Sequence, residues 1–201
     1  TGGTEYQLSL KNSIIENSSE KAVTSINSSL YAENCLFGNN GQTLSIEQGG
    51  MFSLVHCTLA SYSSAFIHHR EPSVFISDSF EEGAQGVSEP VNVIFENCVI
   101  WGDGGLSDEV LTDKKGSLEF KVLFTNCIAR TNGLDPLQEY QDCFLNMDPI
   151  FLNTDNEVGP IDFHLSSQSP AIDNGRQTTV TTDLDNRQRV IPDLGCFEFA
   201  P

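Results

Sequence analysis

A repeat constrains this chain more than any other feature. Six segments share one pattern, an apolar run, a polar residue, a small residue and a further apolar stretch. They are Leu8–Ile15, Leu30–Phe37, Phe52–Leu59, Val74–Glu81, Val93–Ile100 and Val122–Ala129. The polar positions are Asn12, Asn34, His56, Asp78, Asn97 and Asn126, with steps of 22, 22, 22, 19 and 29 residues. A fixed period of this length marks stacked units, each too small to bury its apolar face alone.

Within a unit, pairs such as Leu8 and Leu10 or Val93 and Phe95 lie two apart, which puts them on one side of a strand. The Asn suits a sharp bend because its short amide tolerates left-handed backbone. Stacked on successive turns, these amides would hydrogen-bond in a ladder along the axis, broken at His56 and Asp78. A third apolar patch follows about ten residues after each of the first three bends: Ala22–Val23, Leu44–Ile46 and Ala65–Ile67. Three short strands per turn without helical periodicity predict an all-β chain, a right-handed parallel β-helix of about six rungs. Its coils would stack ~4.8 Å apart. A two-sheet sandwich would not keep a 22-residue register. Rungs are assigned to residues 1–142, and residues 143–201 to a C-terminal cap packed on the last rung within one continuous domain.

Charge narrows the partners. Lys plus Arg is 10 against 28 Asp plus Glu, a net charge of −18, which repels nucleic acid and anionic membranes. No run of about 18 apolar residues exists, so no transmembrane helix is expected. Charged residues are 19% and hydrophobic ones 38%, enough for a core and against a disordered chain. The six cysteines lack paired C-x-x-C spacing, so no zinc site is expected. Cys35, Cys57, Cys98 and Cys127 share one inward position with Ser13 and Ser79 and read as buried, reduced fillers. Cys143 and Cys196 fall outside that column, and a pair between them stays open. The opening Thr1-Gly-Gly-Thr4 lacks an initiator Met and a leader, as in a processed chain or a piece of a longer one. Rung residues begin by Leu8, so further rungs or a partner are expected over the N-terminal end.

From about residue 143 the pattern changes. Asp148-Pro-Ile-Phe151, Asp162-Phe-His-Leu165, Ser169-Pro-Ala-Ile-Asp-Asn-Gly175, Asp183-Leu-Asp-Asn-Arg-Gln-Arg189 and Pro192-Asp-Leu-Gly-Cys-Phe-Glu198 follow in order. This series resembles the C-terminal module of bacterial right-handed β-helix surface proteins of the choice-of-anchor Q kind. The resemblance spans roughly residues 143–199, with Asn186 and Cys196 departing from the usual Gly and Ala. It implies a secreted or surface-displayed protein, lipid-anchored at the bacterial outer membrane in its full-length form, and it carries no catalytic residues.

The candidate sites follow from position and residue type. His68, His69 and Arg70 are expected on the strand that would line a groove, one His inward and the other outward. An outward His with Arg70 is the kind of pair that abstracts a proton beside a uronate carboxylate. Trp101, expected outward after inward Ile100, and Tyr62 would stack on a sugar ring. Asp103 and Asp108, beside Glu109 in a glycine-rich insertion over 102–116, are the acidic candidates for a ligand or for glycoside hydrolysis. Asp183-x-Asp185-Asn186 opens like a Ca²⁺ loop but has Gln188 and Leu194 where Gly and Glu would be needed, so no cofactor and no metal is expected. Two functions remain: a non-catalytic, carbohydrate-associated or adhesive surface protein, or a polysaccharide lyase or glycoside hydrolase. A cleft joining His69, Arg70 and an acidic cluster would separate them.

Overall fold

A computed structural model describes residues 6–80, 87–103, 105–133 and 135–201. Its backbone is all-β, and three parallel sheets wind around one core. The first rung holds β1 (Leu8–Lys11), β2 (Ile14–Glu16) and β3 (Lys21–Ile26). The second has β4 (Leu30–Glu33), β5 (Leu36–Gly38) and β6 (Gln42–Glu47), and the third β7 (Gly50–Val55), β8 (Thr58–Ser61) and β9 (Val74–Ser77). The fourth is β10 (Val91–Glu96), β11 (Val99–Gly102) and β12 (Val110–Asp113). Two shorter rungs follow, β13 (Phe120–Thr125) with β14 (Ile128–Ala129), then β15 (Gln138–Gln141) with β16 (Phe144–Leu145). Corresponding strands pair in the orders β1-β4-β7-β10-β13-β15, β2-β5-β8-β11-β14-β16 and β3-β6-β9-β12. Parallel strands joined by one-way crossovers of this kind wind right-handed.

The register makes vertical columns of like residues. Leu10, Ala32, Leu54, Phe95, Phe124 and Tyr140 align on the inner face of the first sheet. The rings of Phe95 and Phe124 stack at 4.8 Å, and those of Phe124 and Tyr140 at 4.6 Å. The bends also form a file: Asn12, Asn34, His56, Asn97, Asn126 and Asp142 all take left-handed φ between 48° and 54°. The expected amide ladder survives in two pieces, Asn34 donating to Asn12 at 3.2 Å and Asn97 to His56 at 2.9 Å. Burial, followed by the Arg189 charge, pushes His56 down to about 3, so its ring is neutral and accepts that bond.

Asp78 does not belong to this file. Val74–Ser77 is the third strand of rung three, paired with β6 and β12, and Glu81 lies outside the described residues. The excursion over 62–73 displaces that strand, so Ala65–Ile67 is not one and Phe66 is 89% exposed. The third equal step is therefore a coincidence of loop length. The insertion over 102–116 likewise contains strand β12, and the sixth rung comes from 138–145.

Cys143 joins the thiol column as its last member. The backbone N–H of Cys57 donates to Cys98 Sγ, that of Cys98 to Cys127 Sγ, and that of Cys127 to Cys143 Sγ, each at 3.4 Å. All six cysteines are free thiols. Burial pushes the Cys57, Cys98 and Cys127 thiols far up, whereas the hydrogen bond with Cys127 holds half-buried Cys143 below its usual value. A thiol reagent at neutral pH is expected to label Cys143 alone in the folded protein and the other five only on unfolding. Prompt labelling of two or more thiols, counted by intact mass, would contradict the column.

The C-terminal segment lies along the flank of the β-helix, against the second sheet, where its cluster includes residues from rung two to rung six. The outer face of the second sheet explains this. Its residues Leu36, Ala60, Val99, Trp101 and Ile128 are apolar, so both faces of that sheet need cover. Phe151, Phe163, Leu165, Ala171, Leu194 and Phe197 supply it. They are carried by the antiparallel hairpin of β17 (Phe151–Asn153) and β18 (Asp162–Leu165) and by the turns that follow. Polar groups set the position. Asn97 Nδ2 donates to Arg176 O at 2.8 Å while Asn97 Oδ1 accepts from Arg176 N–H at 2.9 Å, and Cys196 N–H donates to Thr58 Oγ1 at 3.1 Å. On the first rung Leu8, Ile14 and Ile26 are exposed.

Candidate functional site

The residues expected on a groove-lining strand occupy the irregular excursion between β8 and β9, and they diverge. His69 turns inward and is buried. Its Nε2 lies 3.0 Å from both Glu109 carboxylate oxygens, and Ser73 donates to Glu109 Oε2 from its N–H (3.0 Å) and its hydroxyl (2.8 Å). Both partner side chains are fully enclosed. A Cβ at Gly102 would overlap both, which is why that strand end is glycine. His68 and Arg70 are exposed, and His68 borders a shallow recess with Lys21, Gln42 and Glu71. No cleft joins His69, Arg70 and an acidic cluster among the described residues.

The ligand candidates are also engaged. Asp103 accepts from Ser63 N–H at 2.8 Å and Ser63 Oγ at 3.2 Å, stapling the excursion to β11. Asp108 accepts from Thr131 Oγ1 at 2.7 Å and Asn132 N–H at 2.8 Å. Trp101 does point out of the coil, but it is only 8% exposed beneath the C-terminal segment, with the Arg130 guanidinium 5.3 Å from its ring centre. Tyr62 is buried between Phe151 and Phe163, at 6.3 and 6.2 Å. In the Asp183 turn, Oδ1 accepts from Arg187 N–H at 2.7 Å and Oδ2 from Glu198 N–H at 2.8 Å. Among the described residues no group of three or more His, Cys, Asp or Glu is placed to hold a metal ion, and no helix is long and apolar enough to cross a membrane.

A further recess lies in the C-terminal segment. A cavity of about 700 Å³ is lined by Leu152, His164, Leu165, Ser166, Arg187 and Phe199 among others. Strand alternation in β18 buries Phe163 and Leu165 and turns Asp162 and His164 outward together. His164 Nδ1 lies 2.5 Å from Asp162 Oδ1 and its Nε2 3.0 Å from Asp185 Oδ2, which also pairs with Arg187 Nη1 at 3.0 Å. The imidazole stacks on Phe197 at 3.9 Å. Sequence reasoning quoted both motifs but placed no site there. The alternation of Asp162 and His164 was a visible signal, whereas their approach to Asp185 and Arg187 was not.

Two carboxylates facing the two ring nitrogens favour the imidazolium, which alone donates from both. Burial lowers the His164 pKa, but the bonds to Asp162 and Asp185 outweigh it and hold the group above its ordinary 6.5. Burial opposes ionisation of Asp162 too, yet its bonds from His164 keep it below its ordinary 3.8. The His164 contribution is therefore complete below pH 6.5 and lost as pH rises through the raised value. The Asp162 contribution is complete above pH 3.8 and lost as pH falls through the lowered value. The segment is expected to be held best between those limits. Melting curves across this range should show an alkaline decline that His164→Asn flattens. An identical decline in that variant would remove His164 as its cause.

No protein-family model and no curated protein matches the chain. A solved structure titled "Crystal structure of pectate lyase Pel9A" is similar to it over 96% of the chain, with 12% identity and a TM-score of 0.44. The chain spans about half of that structure's length, 51%.

Proposed function

We propose that this chain is a non-catalytic β-helix protein, secreted or displayed on a bacterial surface, that associates with carbohydrate or adheres through it. One observation carries the reading. His69 spends its Nε2 on Glu109 at 3.0 Å with both side chains sealed from solvent, so neither joins the exposed His68 and Arg70 in a cleft. A general base needs partners that hold the substrate against it, and the recess beside His68 offers Lys21, Gln42 and Glu71 without the His69–Glu109 pair. The net charge of −18 adds support, since a polyuronate substrate would be repelled. The ordered motifs over 143–199 support the choice-of-anchor Q reading of the C-terminal segment and, with it, surface display.

The test pairs binding with cleavage. Polygalacturonate and neutral plant and bacterial polysaccharides are incubated with the protein and followed for unsaturated-uronate absorbance and new reducing ends. The expected result is retention on a polysaccharide without cleavage. Turnover abolished by His68→Ala or Arg70→Ala would establish the lyase or hydrolase reading instead.

A further inference from the structure

We propose that the cleft of the C-terminal segment binds a neutral pyranose, with the sugar's apolar face on Leu152 and Phe199 and its hydroxyls on Ser166, on Arg187 and on the Asp185 carboxylate paired with Arg187 at the cleft's edge. This rests on the carbohydrate reading above and names its site and sugar class. The cavity, about 700 Å³, falls within the roughly 300–1,000 Å³ usual for small-ligand sites. Its composition is two-sided. Leu152 is 61% exposed, an apolar side chain with no internal cover, and half-buried Phe199 continues that surface. Along the same cavity run His164 and Arg187, both bonded to Asp185. Arg187 is 41% exposed, so it has donors left for a ligand. Ser166 Oγ is buried with no hydrogen-bond partner, an unmet polar group in the lining. An apolar surface beside fixed donors and acceptors matches a pyranose, which presents C–H groups on one side and hydroxyls at its rim.

The charges select neutral sugars over acidic ones. The cations His164 and Arg187 are answered by Asp162, Asp183 and Asp185, of which Asp183 lies 3.9 Å from the Arg187 guanidinium. The wall thus has no unbalanced positive charge to offer a uronate. A hydroxyl, in contrast, both donates to Asp185 and accepts from Arg187, and charge-assisted bonds of this kind are the strong ones.

The experiment titrates neutral gluco-, galacto- and manno-oligosaccharides, and oligogalacturonate, into the intact chain by calorimetry. A neutral oligosaccharide is expected to bind, and Arg187→Gln and Leu152→Glu each to weaken it about tenfold or more. Both side chains are partly exposed, so the variants should keep the parent melting temperature, and Arg70→Gln on the excursion should bind as the parent does. Neutral binding that survives both cleft variants overturns the site but leaves carbohydrate association standing. Preference for oligogalacturonate overturns the sugar class. Absence of binding by every sugar overturns both this inference and the reading beneath it.

Discussion

Arg189→Met is expected to release the C-terminal segment from the β-helix flank, at a cost of about 3–5 kcal/mol. The Arg189 side chain is fully enclosed and paired with Glu198. Its Nη2 donates to Asn34 Oδ1 at 2.9 Å and to Gly195 O at 3.1 Å, so one guanidinium joins the bend file of rung two to the last turns of the chain. Met keeps most of the volume but leaves the buried Glu198 carboxylate without its cation. Burial already raises that group above its usual range. The expected fall in melting temperature is about 10 °C for a chain of this size. Hydrogen exchange should show new opening at the Cys196 amide, which otherwise bonds to Thr58. Adding Glu198→Gln should restore part of the loss, because the uncompensated charge is then gone. A loss under about 1 kcal/mol in the single variant would mean that the segment is held by its apolar face alone.

Phe95→Ala should cost a similar amount, about 3–5 kcal/mol, for a different reason. Phe95 is fully buried at the middle of the Leu54, Phe95, Phe124, Tyr140 column, its ring parallel to Phe124 within 5°. Truncation removes dispersion contacts on two rungs at once, and the stacked backbone above and below limits collapse into the void. Leu123→Ala on the outer face of the neighbouring strand, half-buried, is the control and should cost much less. Urea titrations of the pair measure the difference. Equal losses would show that inner and outer faces are packed alike and would sink the column as the source of stability.

Much of the architecture was legible because a bend residue, a small residue and an apolar pair recur in order. The same grammar misled at Asp78-Ser79-Phe80 and was overlooked at Asp142-Cys143-Phe144-Leu145, which fits it as well as Asn126-Cys127-Ile128-Ala129 does. Local pattern cannot tell one corner of a coil from another when a loop of arbitrary length intervenes, and only pairing to β6 and β12 places Val74–Ser77. The outward setting of Trp101 was legible from alternation, but its cover came from residues far along the chain. The signal for that cover was the second sheet itself, where Leu36-Phe37 and Val99-Ile100-Trp101 show no polar face. The cleft was least legible, since Asp162 and His164 sit on one strand while Asp185 and Arg187 arrive from a later turn.

The tie between Asn34 and Arg189 spans 155 residues of sequence. During synthesis, rungs can stack on one another as they emerge, yet the greasy side of the second sheet has no lid until residues 151–197 have followed them. Assembly therefore has an interval in which stacked rungs display a strip that other nascent chains could adhere to.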